Sequence, residues 1–292
     1  MAGLFRLDRA ARPEHTALLL EELAACGWRR TTGDDWMLDW SFGLHHPTAY
    51  SQARSDQRLN HFPGIVTQHS KDELAHFLAR AAQLGGPDFA FSPQTFSMPY
   101  QFDAWQQAAS DAEAIWIRKP KRGAKGFGVR LITDVTAEVA DGTSIIQRYI
   151  ENPLITAEYP HKHIIRVYVA LTSLDPLIAY VHPQTFVRFA SRPYGTSATE
   201  LADPIRHITN PSVQLTNPNL DGGIRIMKWV EFCELLRRDG RDPTSLWSEI
   251  RTMLARTLAA HRRPMVTVTD RYLDNAAPCF ELLGYDVMID DT

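Results

Sequence analysis

Between residues 114 and 190 the chain contains six short β-branched or aromatic runs: AIWIRK, GVRLI, SIIQRYI, IIRVYVAL, LIAYVH and TFVRFA. Turn formers close each run. Such segments read as strands, and so dense a series requires at least one antiparallel sheet. Helical signals flank them. Leu19, Leu20, Leu23 and Ala24 recur at helical spacing over 14–25, before a stop at Gly27. Ser70-Lys71-Asp72-Glu73 reads as a capping box for a second helix, with Leu74, Phe77, Leu78 and Ala81 as its stripe and Gly85-Gly86 as its end. FSPQTFSMP then reads as a loop punctuated by Pro93 and Pro99. After the strands, KWVEFCELLRR ends at Gly240, and Asp242-Pro243 opens a helix expected over 243–262. CFELLGYDVMID reads as a final strand. The pattern is α+β, with no internal repeat and no linker.

The composition excludes several classes. Lys plus Arg is 31 against 34 for Asp plus Glu, whereas a duplex-binding surface carries a basic excess. Cys26, Cys233 and Cys279 are odd in number and form no CxxC pair. That argues against a disulfide framework or zinc cluster and for a reducing compartment. No apolar run reaches the roughly 20 residues that span a bilayer. The expectation is a cytoplasmic protein with no nucleic-acid or membrane partner.

Within that acidic chain, WIRKPKRGAKGFGVRL places Lys119, Lys121, Arg122 and Lys125 beside Gly123, Gly126 and Gly128 at one hairpin tip. Glycines let backbone N–H groups approach an anion, and two ammonium groups suit a triphosphate. A solvated basic turn and a nucleic-acid patch fit the same residues. The spacing is neither the Walker pattern nor a dinucleotide fingerprint. IIQRYIENPLI is a strand broken by Pro153, whose unpaired end can meet an adenine edge or simply terminate a strand. In HKHIIRVYVAL, alternation sets Arg166 and Tyr168 against Ile165, Val167, Val169 and Leu171. Arg166 there needs an anion, either a structural carboxylate or a phosphate. His161 and His163 read as surface histidines. In GYDVMIDDT, alternation puts Asp286, Met288 and Asp290 on one face, and carboxylates at a strand end suit magnesium beside phosphates.

Taken in order, these motifs resemble the tubulin tyrosine ligase-like branch of the ATP-grasp ligases. The resemblance runs from DDWMLDWS at 34–41 to the last residue. It rests on HFPGIVTQHSKDELAHFL, FSPQTFSMP, WIRKPKRGAKGFGVRLI, IIQRYIENPLI, HKHIIRVYV, FVRFASRPY, HITN and FELLGYDVMID. It implies an ATP-grasp fold with an N-terminal lobe at 1–64, a central lobe at 65–149 and a C-terminal lobe at 150–292. ATP and Mg²⁺ are the implied cofactors. Lys119 matches the lysine on the ATP phosphates, and Gly123, Lys125, Gly126 and Gly128 match the loop that covers them. Gln147, Arg148, Tyr149 and Ile150 match the adenine hinge, and Lys162 a further nucleotide contact. Arg166 and Arg188 match cations near the transferred phosphate, Thr209 and Asn210 the polar pair lining the cleft, and Asp290 the first magnesium ligand.

The implied chemistry is amide ligation. ATP activates a protein or peptide carboxylate as an acyl phosphate, and the amine of a free amino acid displaces phosphate. Tubulin is one implied acceptor. Two departures qualify this. Ile164 stands where the family usually has an acid, and the family's Glu and Asn of a W-L-x-E-V-N segment are missing before the sequence stops at Thr292. The expectation is therefore a piece of a longer ligase. The alternative is an inactive relative that binds a nucleotide or a protein.

Overall fold

The β-branched runs of the middle segment become strands, and the elements around them follow the caps and glycines. The computed structural model describes residues 3–8, 13–68, 70–111, 114–123, 125–273 and 279–291. In chain order these form β1 (Leu4–Leu7), α1 (Pro13–Ala25), β2 (Arg29–Arg30), β3 (Leu38–Trp40), α2 (Pro47–Gln52), β4 (Arg58–Asn60) and α3 (Lys71–Gly85). β5 (Thr95–Ser97), α4 (Phe102–Asp111), β6 (Trp116–Pro120), β7 (Arg130–Ile132), β8 (Ser144–Arg148), β9 (His163–Leu174), β10 (Leu177–Val181) and β11 (Phe186–Phe189) follow. The rest are α5 (Ala198–Leu201), α6 (Pro204–His207), α7 (Pro211–Gln214), β12 (Ile226–Lys228), α8 (Trp229–Arg238), α9 (Pro243–Thr269) and β13 (Cys279–Val287). No helix among the described residues is long and apolar enough to cross a membrane.

The chain divides into two units, and β9, α9 and β13 contribute residues to both. The first comprises 1–67, 168–181 and 261–283. Its sheet runs β13-β4-β3-β1-β2, with parallel pairs such as Phe5 with Leu38 and Leu59 with Cys279. Phe5, Leu59, Phe62 and Met265 are buried there. Gly64 has no room for a side chain, since a Cβ would stand 2.1 Å from the Met265 carbonyl oxygen. His61 adopts a φ of 70° and its Nδ1 lies 2.8 Å from Glu281 Oε1.

The second unit comprises 68–167, 182–260 and 284–292. Its four-stranded antiparallel sheet, β5-β8-β6-β7, closes over Phe96, Met98, Trp105, Trp116, Ile132 and Ile146. Trp105 and Trp116 meet edge to face, 6.5 Å apart. A second group of strands runs β12-β11-β9-β13. Along β9 the alternation holds, with Ile165, Val167, Val169 and Leu171 buried and Tyr168 exposed.

Several expectations are corrected. The Ser70 box does not form as a cap, because the Ser70 hydroxyl donates to Glu73 Oε2 at 2.7 Å instead of accepting from the helix. FSPQTFSMP contains β5, which pairs with β8 at Phe96 and Ile146. α9 runs past 262 to Thr269 with Pro264 inside it; burial of Met265 and Thr269 compensates the single hydrogen bond that proline removes. His163 is not a surface residue. It is buried between Phe189 and Phe232, at ring distances of 5.2 and 4.8 Å.

Burial pushes the His163 imidazole down from 6.5 to about 4. A histidine that folds neutral contributes stability fully present above the unfolded value of about 6.5 and lost as pH falls toward the folded one. Urea midpoints should therefore drop for the wild type through that window and drop less for His163→Phe. Parallel curves for the two chains would remove His163 as a cause.

Candidate active site

The site grows from β6 and β8. Antiparallel register sets Lys119 opposite Ile145 and Ile117 opposite Gln147. The Lys119 ammonium donates to Gln147 Oε1 at 2.6 Å. Gln147 Nε2 in turn donates to Thr95 Oγ1 at 2.8 Å, which fixes the amide orientation. Lys162 enters from the residue before β9. It is 1% exposed, and its Nζ sits 3.7 Å above the Tyr149 ring and 6.0 Å from that of Tyr194. Neither lysine has an ion pair among the described residues. Burial, with Lys71 nearby, pulls Lys119 down to about 8. Burial and the charge of Lys119 pull Lys162 well below the usual lysine range.

Lys71, Lys119 and Lys162 thus lie near one another, and no carboxylate among the described residues pairs with Lys119 or Lys162. Buried like charges are costly unless an anion completes them, so this donor set fits the phosphates of a nucleotide. Arg118 and Arg130, by contrast, belong to the framework. Arg118 pairs with Glu138, and also with Asp141 at 2.7 Å; Arg130 meets Glu138 at 2.5 Å. Lys121 donates to the Met98 carbonyl at 2.7 Å and pairs with Asp72 at 3.4 Å, and that carboxylate offsets its charge at the hairpin tip.

The tip itself turns through left-handed backbone at Gly123, Lys125, Gly126 and Gly128. Ala124 of this loop, like His69 within HFPGIVTQHSKDELAHFL, lies outside the described residues. Lys71 Nζ donates to the Gly123 carbonyl at 3.1 Å, and the Ser212 hydroxyl donates to the Lys125 carbonyl. A Cβ on Gly126 would stand 2.9 Å from the Asn210 Cβ, so the loop lies directly against the Thr209-Asn210 segment. Thr209 is buried, and Asn210 begins α7. Gly126→Ala should weaken nucleotide-dependent thermal stabilisation while leaving the unliganded melt within a few degrees. Unchanged stabilisation by Mg-ATP would show that loop contact with Asn210 is irrelevant.

Arg166 and Arg188 meet one carboxylate. Arg166 Nε and Nη2 donate to Asp286 at 2.6 and 2.9 Å, and Arg188 Nη2 lies 3.8 Å away. The anion that Arg166 requires is thus supplied by Asp286. Ile164 is buried opposite Arg188, where it serves the core. At the hinge, Arg148 and Tyr149 already donate their N–H groups to Gln94 and Ile115. The next backbone groups, at Ile150, follow the end of β8.

Asp290 rejoins the chain through a bridge to Pro153, flanked by hydrogen bonds Leu154 N to Ile289 O and Asp291 N to Asn152 O, of 2.9 and 2.7 Å. Its carboxylate is exposed, near enough to Tyr194 to help raise that phenol to about 12, after burial as the main cause. No group of three His, Cys, Asp or Glu side chains that could hold a metal occurs among the described residues. A magnesium ion needs fewer, since it binds through one or two carboxylates together with substrate phosphates and water. Asp290 supplies one such carboxylate; it lies beyond the end of β13 at Val287 rather than on one strand face with Asp286, whose oxygens are taken by Arg166. Sequence reasoning missed Lys71, Tyr194 and His207 as neighbours of these groups.

A sequence model of the tubulin-tyrosine ligase family matches residues 49–292. The chain is 30% identical over 267 residues to tubulin monoglutamylase TTLL4 of Homo sapiens, a match covering 88% of the chain and 22% of that protein. It is 30% identical over 307 residues to the Homo sapiens protein named Probable tubulin polyglutamylase TTLL2, covering 99% and 49% respectively. It is 28% identical over 267 residues to tubulin polyglutamylase TTLL5 of Homo sapiens, covering 88% and 21%. The chain spans between about a fifth and about half of the length of these relatives. Converging lysines, a glycine loop folded on a polar segment and a family match over most of the sequence agree: the chain belongs to the tubulin-tyrosine ligase family, with its α+β, ATP-grasp-like fold.

Proposed function

We propose that this chain is the nucleotide-holding part of an ATP-dependent ligase that adds an amino acid to a protein or peptide carboxylate. The observation that carries the reading is the pair of lysines, Lys119 and Lys162, brought together without an anionic partner in a chain of this family. Lys119 and Lys162 bind phosphate oxygens, with Lys125 and the N–H groups of Gly123, Gly126 and Gly128 closing over them. Gln147, Arg148, Tyr149 and Ile150 form the edge against which the base rests, largely through backbone. Arg166 and Arg188 neutralise charge as a carboxylate approaches the transferred phosphoryl group. Thr209 and Asn210 orient the reacting groups. Asp290 holds magnesium, which when bound neutralises the phosphates. The lobes follow as 1–64, 65–149 and 150–292.

In this reading the acceptor carboxylate becomes an acyl phosphate, and the free amino acid's amine displaces phosphate to leave an amide, ADP and phosphate. The relatives are named as tubulin glutamylases, which makes glutamate and tubulin the first substrates to try. The experiment incubates the chain with Mg-ATP, radiolabelled glutamate, glycine or tyrosine, and tubulin. Label in protein with stoichiometric ADP is expected. Nucleotide binding with no transfer to any acceptor would favour the inactive binding module.

A further inference from the structure

One buried network beside Lys162 has no part in the chemistry above. His207 closes α6, whose start is set by the Asp203 carboxylate accepting from Ile205 N at 3.1 Å. The imidazole is 3% exposed. Its Nε2 lies 2.9 Å from the Glu200 carbonyl and its Nδ1 2.8 Å from the Tyr149 hydroxyl. A carbonyl oxygen only accepts, so Nε2 carries the proton and Nδ1 is left to accept from the Tyr149 O–H. Burial is the main influence lowering the His207 pKa, which keeps the ring neutral and this arrangement intact.

The ring also stands edge-on to Tyr149 and Tyr194, at 5.7 and 5.6 Å. Those are the two rings around the Lys162 ammonium. The turn that carries His207 is itself pinned, because Gln214 Nε2 donates to the Ile205 and Ile208 carbonyls at 2.9 and 2.6 Å. A cation over an aromatic face is attracted to it, so the position of the Tyr149 ring biases that of the Lys162 ammonium.

We propose that His207 is a positioning residue: by fixing the Tyr149 hydroxyl it holds the ring beneath Lys162 and so aims the ammonium at its anion. The inference rests on Lys162 being a nucleotide contact. It also gives the HITN segment two tasks, since Thr209 and Asn210 lie just beyond His207.

The test uses the full chain and its His207→Phe, His207→Asn and Tyr149→Phe variants, with Mg-ATP affinity from calorimetry and melting temperature without nucleotide. His207→Phe and Tyr149→Phe should each weaken Mg-ATP on the order of 10-fold. The double variant should be no weaker than either single one, because both remove the same link. His207→Asn should recover most of the affinity, since its side-chain carbonyl can accept from Tyr149. A His207→Phe protein with a lower melting temperature but unchanged affinity, or additive losses in the double variant, would overturn the proposal. If the wild type binds no nucleotide, the functional reading fails, and Lys162 acetylation followed by mass spectrometry decides this inference alone. His207→Phe should then raise Lys162 labelling several-fold, and unchanged labelling would overturn the inference.

Discussion

A Lys119→Met chain is expected to lose nucleotide-dependent transfer by about 10²-fold or more while melting no lower than the wild type. The two effects have one cause. The Lys119 ammonium has been drawn out of water and placed within the field of Lys71, without a carboxylate to offset it. Its hydrogen bond to Gln147 Oε1 at 2.6 Å does not neutralise charge. Methionine removes the unfavourable charge and keeps the volume. It also removes the donor that a phosphate would meet, so Mg-ATP should no longer raise the melting temperature. Transfer assays and melts with and without Mg-ATP check both halves. A variant that is clearly less stable but still active would mean that Lys119 serves the fold.

The second large effect concerns the scaffold of the same hairpin. Arg118 is 6% exposed and Glu138 8%, and Glu138 also meets Arg130 at 2.5 Å. Removing one member of a buried pair leaves a desolvated charge behind, at a cost of about 3 kcal/mol. Glu138→Gln should lower the unfolding free energy by that amount, read as a lower urea midpoint. Nucleotide affinity should fall with it, because β6 and β7 carry Lys119 and the glycine loop between them. Replacing both partners, as in the Arg118→Met, Glu138→Leu double variant, should recover most of the stability, since neither charge then remains buried alone. Asp141 keeps water as its partner in that variant, its side chain being 41% exposed. A Glu138→Gln chain as stable as the wild type would show that Asp141 and the Val139 carbonyl, 3.1 Å from Arg118, suffice.

The parts of this fold legible in the sequence are those whose local chemistry agrees with their environment. β6, β8, β9, β10 and β11 were readable because β-branched runs there are long enough to alternate, and α8 because it ends at Gly240 with a φ of 75°. The parallel sheet of the first unit was not readable. Its strands β2, β3 and β4 span two or three residues each, too short for any period to show. β5 was hidden by the prolines around it, although only its neighbours, not its own residues, resist pairing.

The site was legible by residue type and opaque by partner. The Lys71 segment has the spelling of a capping box, yet Ser70 spends its hydroxyl on Glu73 and Lys71 reaches the Gly123 carbonyl. The arginine on β9 announced a need for an anion, but only folding reveals that Asp286, 120 residues away, supplies it. His163 reads with His161 as a surface pair because no third ligand stands at a telling spacing; the two phenylalanines that bury it come from β11 and α8.

Calorimetric titration of the chain with Mg-ATP at pH 8, in two buffers of different ionisation enthalpy, tests directly whether phosphate binds the half-buried Lys119 and the buried Lys162. Near that pH Lys119, drawn down to about 8 by burial, is partly deprotonated, and burial lowers Lys162 in the same direction. Triphosphate favours the charged form of each. The account predicts saturable binding with net proton uptake, and affinity that declines as pH rises further. The absence of a saturable heat, or binding with no proton exchanged, would contradict it.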